Sequence, residues 1–232
     1  MLVLTVDAST TVGSVSLINQ EKLIGEQMLN LELNHSPRLM PAVVSILEDC
    51  DYSKDDLDGI GVTVGPGSFT GTRIGVAAAK TLAQSLEISI VGVSTLEVLA
   101  HSLKYLSAYI CPMIDARRGR VFSSLYRGSK DGLKLQNEEA LLEVDELLER
   151  LAEIEEEIYF VGQIAAEYRD KIAAIVSKPR FVERSFNLPR AGAVGDLALN
   201  KLEAGREDEL YALKPNYLKR SQAEIQWEAK NN

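Results

Sequence analysis

Residues 2–19 read LVLTVDASTTVGSVSLIN, and this stretch decides the fold. Leu2–Asp7 is an apolar, β-branched run of strand length. Turn-forming residues at Asp7-Ala8-Ser9-Thr10 interrupt it. From Thr11 to Gly25 apolar and small polar residues then alternate on both sides of a turn at Asn19-Gln20, the mark of a hairpin. Three successive antiparallel strands therefore open the chain. Residues 108–127, AYICPMIDARRGRVFSSLYR, repeat the plan, with two apolar strands around Asp115-Ala116-Arg117-Arg118-Gly119. Two like units imply internal duplication.

Between these units strands and helices alternate, which predicts α/β layers around a mixed or parallel sheet. From Ser36 the spacing puts Leu39, Val43, Ile46 and Leu47 on one helical face, with Ser36 as N-cap and Pro37 at the first helical position. A strand follows at Ile60–Val64. Residues 65–88, GPGSFTGTRIGVAAAKTLAQSLEI, form a glycine-rich turn that enters a helix. Gly67, Gly71 and Gly75 recur every fourth residue and Ala78 and Ala79 continue that face, a surface suited to close helix packing. Ile90–Gly92 is a short strand and Ser94 caps the next helix. The expected domains are residues 1–104 and 105–232.

In the second unit, Glu138 to Glu157 carries ten acidic side chains and one Arg, read as a solvated face over a helical stripe of Val144, Leu147, Leu148, Leu151 and Ile154. Ile158–Gly162 is a strand, and Ala191–Ala204 a helix ending at Gly205. The tail from Pro215 to Lys230 has no place in a regular element, but its apolar Tyr217, Leu218 and Trp227 predict docking.

The 232 residues carry 25 basic and 34 acidic side chains, so tight nucleic-acid binding by this chain alone is disfavoured by phosphate repulsion. A partner would have to supply the basic surface. The longest apolar stretches fall short of the ~18 residues a spanning helix needs, and the opening is a strand rather than a signal segment. The expected location is the cytoplasm, with no membrane contact. Cys50 and Cys111 are too few for a disulfide framework and read as reduced, inert thiols.

Asp7, Thr10 and Thr11 at the end of a first strand are the residue types with which actin-like ATPases and sugar kinases hold phosphate and metal. The same residues also suit an Asx-turn that satisfies only the backbone. A second phosphate hairpin would be rich in Gly and Thr, yet Arg117 and Arg118 occupy it, so ATP binding there is disfavoured while an anion stays compatible. The adenine-side glycine pair is reduced to Gly162-Gln163. The Gly65–Gly71 loop lacks the GK[ST] ending of a phosphate loop and reads as packing. His35 and His101 have no second imidazole in helical register, so both read as structural or interfacial and no metal site is expected. No GxSxG elbow occurs. No catalytic residue is assigned.

Taken together, LTVDASTTVGSVSL, NHSPRLMP, VGPGSFTGTRIGVAAAKTLA, VSTLEVLAH, IDARRGRVFSSLY and PNYLKRSQAE resemble the TsaB (YeaZ) family of the tRNA threonylcarbamoyladenosine pathway, over nearly the whole chain. The resemblance implies an actin-like fold, of the acetate and sugar kinase, heat-shock and actin group, with two duplicated α/β domains. It further implies a shortened, non-catalytic relative of TsaD, the subunit that transfers threonylcarbamoyl to the adenosine beside the anticodon. TsaD holds a metal partly through two His at i, i+4, where this chain has Thr95 and Leu99. Pairing with a TsaD-like subunit is implied through the helices matching Ser36–Asp49 and Ser68–Leu86, at Leu39, Val43, Leu47, Gly67, Gly71, Arg73, Gly75 and Ala78. A TsaE-like ATPase joins that pair, and the same surface forms a homodimer when the chain is alone. Contact with tRNA is indirect, through the complex, and there is no cofactor of its own, leaving a nucleotide only a subunit junction. The reading of a different class is an autonomous actin-like ATPase or small-molecule kinase using Asp7, Thr10 and Thr11. An autonomous peptidase would need a nucleophile or metal that the sequence does not offer.

Overall fold

A computed structural model describes residues 1–30 and 36–218. The expected roles of His35, Lys219, Arg220 and Trp227, and of the Ser36 and Pro37 side chains at the helix start, lie outside what it describes. In chain order the strands and helices are β1 (Leu2–Asp7), β2 (Val12–Asn19), β3 (Leu23–Asn30), α1 (Ser36–Asp49), β4 (Gly59–Gly65), α2 (Phe69–Leu86), β5 (Ser89–Ser94), α3 (Thr95–His101), β6 (Tyr109–Asp115), β7 (Arg120–Ser123), β8 (Tyr126–Ser129), β9 (Gly132–Leu135), β10 (Ala140–Glu143), α4 (Val144–Leu151), β11 (Ile158–Val161), α5 (Gln163–Glu167), α6 (Arg169–Ile175), β12 (Pro179–Phe181) and α7 (Ala191–Glu203).

The duplication is visible in the two sheets. The first runs β3-β2-β1-β4-β5, antiparallel through β1–β3 and parallel through β1, β4 and β5. In the second, β6 takes the place of β1: it pairs antiparallel with β7 and β8 and parallel with β11, which pairs parallel with β12. Both units are thus sheets with helices packed on both faces.

Side-chain alternation along β1 sorts the first core. Leu2, Leu4 and Val6 point toward α1 and α2, while Val3 packs with α7 on the other face. Thr5 also faces α7, donating its hydroxyl to Ala191 O at 2.7 Å. The sequence boundary at residue 104 separates the two sheets, but α7, from far downstream, packs on the first of them. Gly59 and Gly61 make that approach possible, because a Cβ on either would sit 2.8 Å from Leu202 or Ala198.

The acidic stretch departs from the expected single helix. Ala140–Glu143 is strand β10, α4 spans only Val144–Leu151, and Ile154 lies beyond it. Leu141 and Leu142 complete the second sheet's edge against Phe122 and Val121 of β7, and sheet pairing overrides the helical stripe there.

Candidate functional site: an interlobe cleft

A cleft of about 920 Å³ opens between the two sheets' turns. Its first wall is the β1–β2 turn with the start of α2; its second is the β6–β7 turn with the start of α5. Ser9, Thr10 and Thr11 line it, whereas Asp7 is fully buried beneath them. Asp7 Oδ1 accepts from Ser9 N at 3.1 Å, Ser9 Oγ at 2.6 Å and Thr63 Oγ1 at 2.5 Å. That is the Asx-turn arrangement: the carboxyl group organises its own turn. Thr10 Oγ1 is shared with the backbone of Val12, and Thr11 is exposed.

The glycine face of α2 has a different job from the one its spacing predicts. A Cβ on Gly67 would lie 2.1 Å from Ser9 O, and one on Gly71 2.1 Å from Ala8 O. Gly75 sits over Ala8 Cβ, at 3.4 Å from a built Cβ. These small residues seat α2 on the chain's own β1–β2 turn, where no partner helix can enter. Leu39, Val43 and Leu47 are likewise corrected as surface residues: each is buried in the core between α1 and the sheet. The amphipathic stripe marked the inward face of α1, as it does for any helix laid on a sheet. Ala78 is half-buried against the same core. Arg73 alone of the expected interface residues is exposed. What α1 and α2 turn outward includes Arg38, Met40, Val44 and Glu48 on α1 and Phe69, Thr70, Ala77 and Thr81, beside Arg73, on α2.

On the second wall Asp115 is exposed and accepts from Arg117 N at 2.7 Å. Arg117 and Arg118 adopt left-handed backbone, φ 66° and 58°, ahead of Gly119 at 75°. Such conformations cost non-glycine residues about 1–2 kcal/mol each, and here they turn the Arg117 side chain to the cleft lining. Gly162 is also left-handed, and a Cβ there would strike Met113 O at 2.0 Å. It brings Gln163, at the start of α5, into the cleft.

The tail contributes to the cleft wall, a feature the sequence announces only through its apolar residues. Asn216, Tyr217 and Leu218 line it. Away from the cleft, His101 is buried, its Nε2 3.2 Å from Asp196 Oδ2 and 2.9 Å from Lys104 Nζ. The hydrogen bond from His101 is the main reason the Asp196 carboxyl is held below the usual carboxylate range. Among the described residues no group of three His, Cys, Asp or Glu side chains gathers as a metal site requires, and no described helix is long and apolar enough to cross a membrane.

Along 228 residues, covering 98% of both chains, the sequence is 36% identical to the tRNA threonylcarbamoyladenosine biosynthesis protein TsaB of Bacillus subtilis (strain 168). The chain belongs to the TsaB family. The Escherichia coli (strain K12) TsaB is 34% identical over 168 residues, 70% of this chain and 71% of that one. A family model described as TsaD, tRNA N6-adenosine threonylcarbamoyltransferase, matches residues 30–227. Among solved structures, a Pseudomonas aeruginosa protein described as uncharacterized, with similarity to peptidase YeaZ, superposes with a TM-score of 0.79 at 25% identity, covering 94% of this chain and 99% of that one. The TsaB fold is the actin-like ATPase fold. A Clostridium difficile activator of 2-hydroxyisocaproyl-CoA dehydratase with bound ADPNP shares it more distantly, with a TM-score of 0.50 over 89% of this chain and 97% of that one, at 10% identity.

Proposed function

We propose that this protein is a non-catalytic accessory subunit in tRNA threonylcarbamoyladenosine biosynthesis, working in the cytoplasm. Identity to a TsaB relative along 98% of both chains carries the pathway assignment. It pairs with a TsaD-like subunit, which transfers the threonylcarbamoyl group to the adenosine next to the anticodon, and helps recruit a TsaE-like ATPase. The outward residues of α1 and α2 supply the pairing face, since Met40 and Val44 are 39% and 50% exposed and apolar. The same face serves a homodimer when the chain is alone. The protein has no cofactor of its own, and tRNA reaches it only through the complex.

The accessory role rather than an autonomous ATPase is supported by the cleft's two turns. Asp7 is fully buried with its Oδ1 taking three hydrogen bonds from Ser9 and Thr63, and the opposite turn carries two arginine side chains where backbone would have to approach phosphate. Reconstitution tests the reading: TsaD, TsaE, threonylcarbamoyl-adenylate and unmodified tRNA, with and without this protein. Modified tRNA is expected only when it is added, and Val44→Glu is expected to cut that activation at least about ten-fold with the chain still folded, the size of one lost interface anchor. Modification at full rate without the protein would refute the role. Full activation by Val44→Glu would move the pairing face elsewhere.

A further inference from the structure

The segment after α7 does more than end the chain. Asp208 pairs with Ile90 at the edge of the first sheet, and its carboxylate accepts from Gly92 N at 2.7 Å. Lys80 of α2 donates to Leu213 O at 2.9 Å. Having run along this lobe, the segment reaches the cleft at Asn216, where its character changes: within three residues it holds both lobes.

On the first lobe, Asn216 N donates to Val64 O at 2.6 Å, and Tyr217 takes a hydrogen bond from Arg73 Nε on its hydroxyl at 2.6 Å. The Arg73 guanidinium lies 3.7 Å from the Phe69 ring centroid, and the Phe69 and Tyr217 rings are 5.2 Å apart. Toward the second lobe, Leu218 packs against an apolar cluster built jointly by Leu96 and Leu99 of α3 and by Ile114 and Phe122 of the second sheet. Asn216 Nδ2 donates to Glu139 Oε2 at 3.0 Å. Glu139 arises from the second lobe, and its other oxygen takes the hydroxyl of Ser94, the residue that caps α3. One carboxyl group therefore joins the second lobe, the interlobe helix and the tail. Burial pushes it above the ordinary carboxylate range, in surroundings where each hydrogen bond counts for more than in water.

We infer that Asn216–Leu218 is a latch: it ties the two lobes together across the cleft, and its release opens the cleft. Among the described residues after α7 no other part has the geometry for this, because residues 208–213 touch the first lobe alone in the contacts above. The latch is also built to let go. Tyr217 is 44% exposed, so its aromatic contacts are made at the surface, where they are weakest. Beneath the strap, buried Thr72 has no hydrogen-bond partner for Oγ1 among the described residues, and an unsatisfied buried hydroxyl favours an arrangement that wets it. The inference goes beyond the partner assignment and is independent of it.

Backbone hydrogen exchange on the full-length protein, read by mass spectrometry, tests the latch. Tyr217→Ala cuts the first-lobe tie, Leu218→Ala the second-lobe tie, and Asn216→Ser the bond to Glu139. A latch fails when either end is cut. Each variant is therefore expected to raise exchange about five-fold or more on both walls, residues 8–12 and 113–118, and the Tyr217→Ala/Leu218→Ala double variant to add little. Exchange that rises only on the wall that lost its own contact, or on neither, overturns the inference. All three residues are exposed or half-buried, and a thermal melt confirms that each variant is folded before exchange is read.

Discussion

The β1–β2 turn and the β6–β7 turn hold the same position in two copies of one unit and face each other across one cleft, yet they are built oppositely. The first is sunk into the core: Asp7 is fully buried, three donors converge on its Oδ1, and α2 is pressed against its backbone. The second stands in solvent, with Asp115, Arg117, Arg118 and Gly119 all exposed. A Cβ on Gly119 would meet nothing nearer than Glu143 Oε2 at 3.7 Å. Duplication fixed where the turns lie, and packing then fixed what each does. The buried one is a structural joint; the exposed one is free to present charge.

The largest test of this contrast is a pair of glycine replacements. Gly71→Ala puts a Cβ 2.1 Å from Ala8 O, a clash with backbone that no rotamer relieves. Its cost is expected to reach or exceed the ~3 kcal/mol upper range usual for overpacked cores, read as a collapse of the urea midpoint or as insoluble protein. Gly119→Ala makes only an ordinary contact with Glu143 Oε2 at 3.7 Å and bears the left-handed backbone, about 1–2 kcal/mol. If Gly71→Ala were as mild as Gly119→Ala, α2 would not be clamped on the first turn and the small-residue face would be available to a partner again.

Next come the two aspartates. Asp7→Ala strands the Thr63 and Ser9 hydroxyls and Ser9 N in a buried site, at an expected ~2–4 kcal/mol. Asp115→Ala removes one exposed bond to Arg117 N and should cost within about 1 kcal/mol. Equilibrium urea unfolding at constant m-value measures both. Equal costs would break the contrast, because the second turn would then be held as firmly as the first.

How much of this was legible beforehand follows from the physics of each signal. Strand and hairpin alternation at 2–19 and 108–127 was readable because a period of two survives any tertiary context. The cap at Ser94 was readable too, since its hydroxyl meets Leu96 N and Glu97 N within the same turn. Leu39, Val43 and Leu47 were assigned to the wrong neighbour because an apolar stripe reports that a face is buried and not by what. Gly67 and Gly71 had the same ambiguity: periodic small residues demand a close approach, and only coordinates show that Ser9 O and Ala8 O make it. Glu139 was hidden in an acidic run read as solvated, because nothing local distinguishes it from its neighbours. Its partners Ser94 and Asn216 lie 45 and 77 residues away.

The smallest effect is the most specific. Arg118 holds a left-handed backbone at φ 58°, is exposed, and makes no ion pair with a described residue. Replacing it with glycine removes strain of about 1–2 kcal/mol and gives back part of that through the freer unfolded chain, about 0.4–1 kcal/mol. Arg118→Gly should therefore stabilise the protein by roughly 0.8 kcal/mol, the difference of the midpoints of those two ranges. In the first turn the equivalent change has the opposite sign. Thr10→Gly relieves no left-handed strain, loses the hydroxyl bonds to Val12, and should destabilise by about 1 kcal/mol. A chevron series resolves both signs. Should Arg118→Gly destabilise instead, the guanidinium has a stabilising role within the fold, and the exposed turn is structural after all.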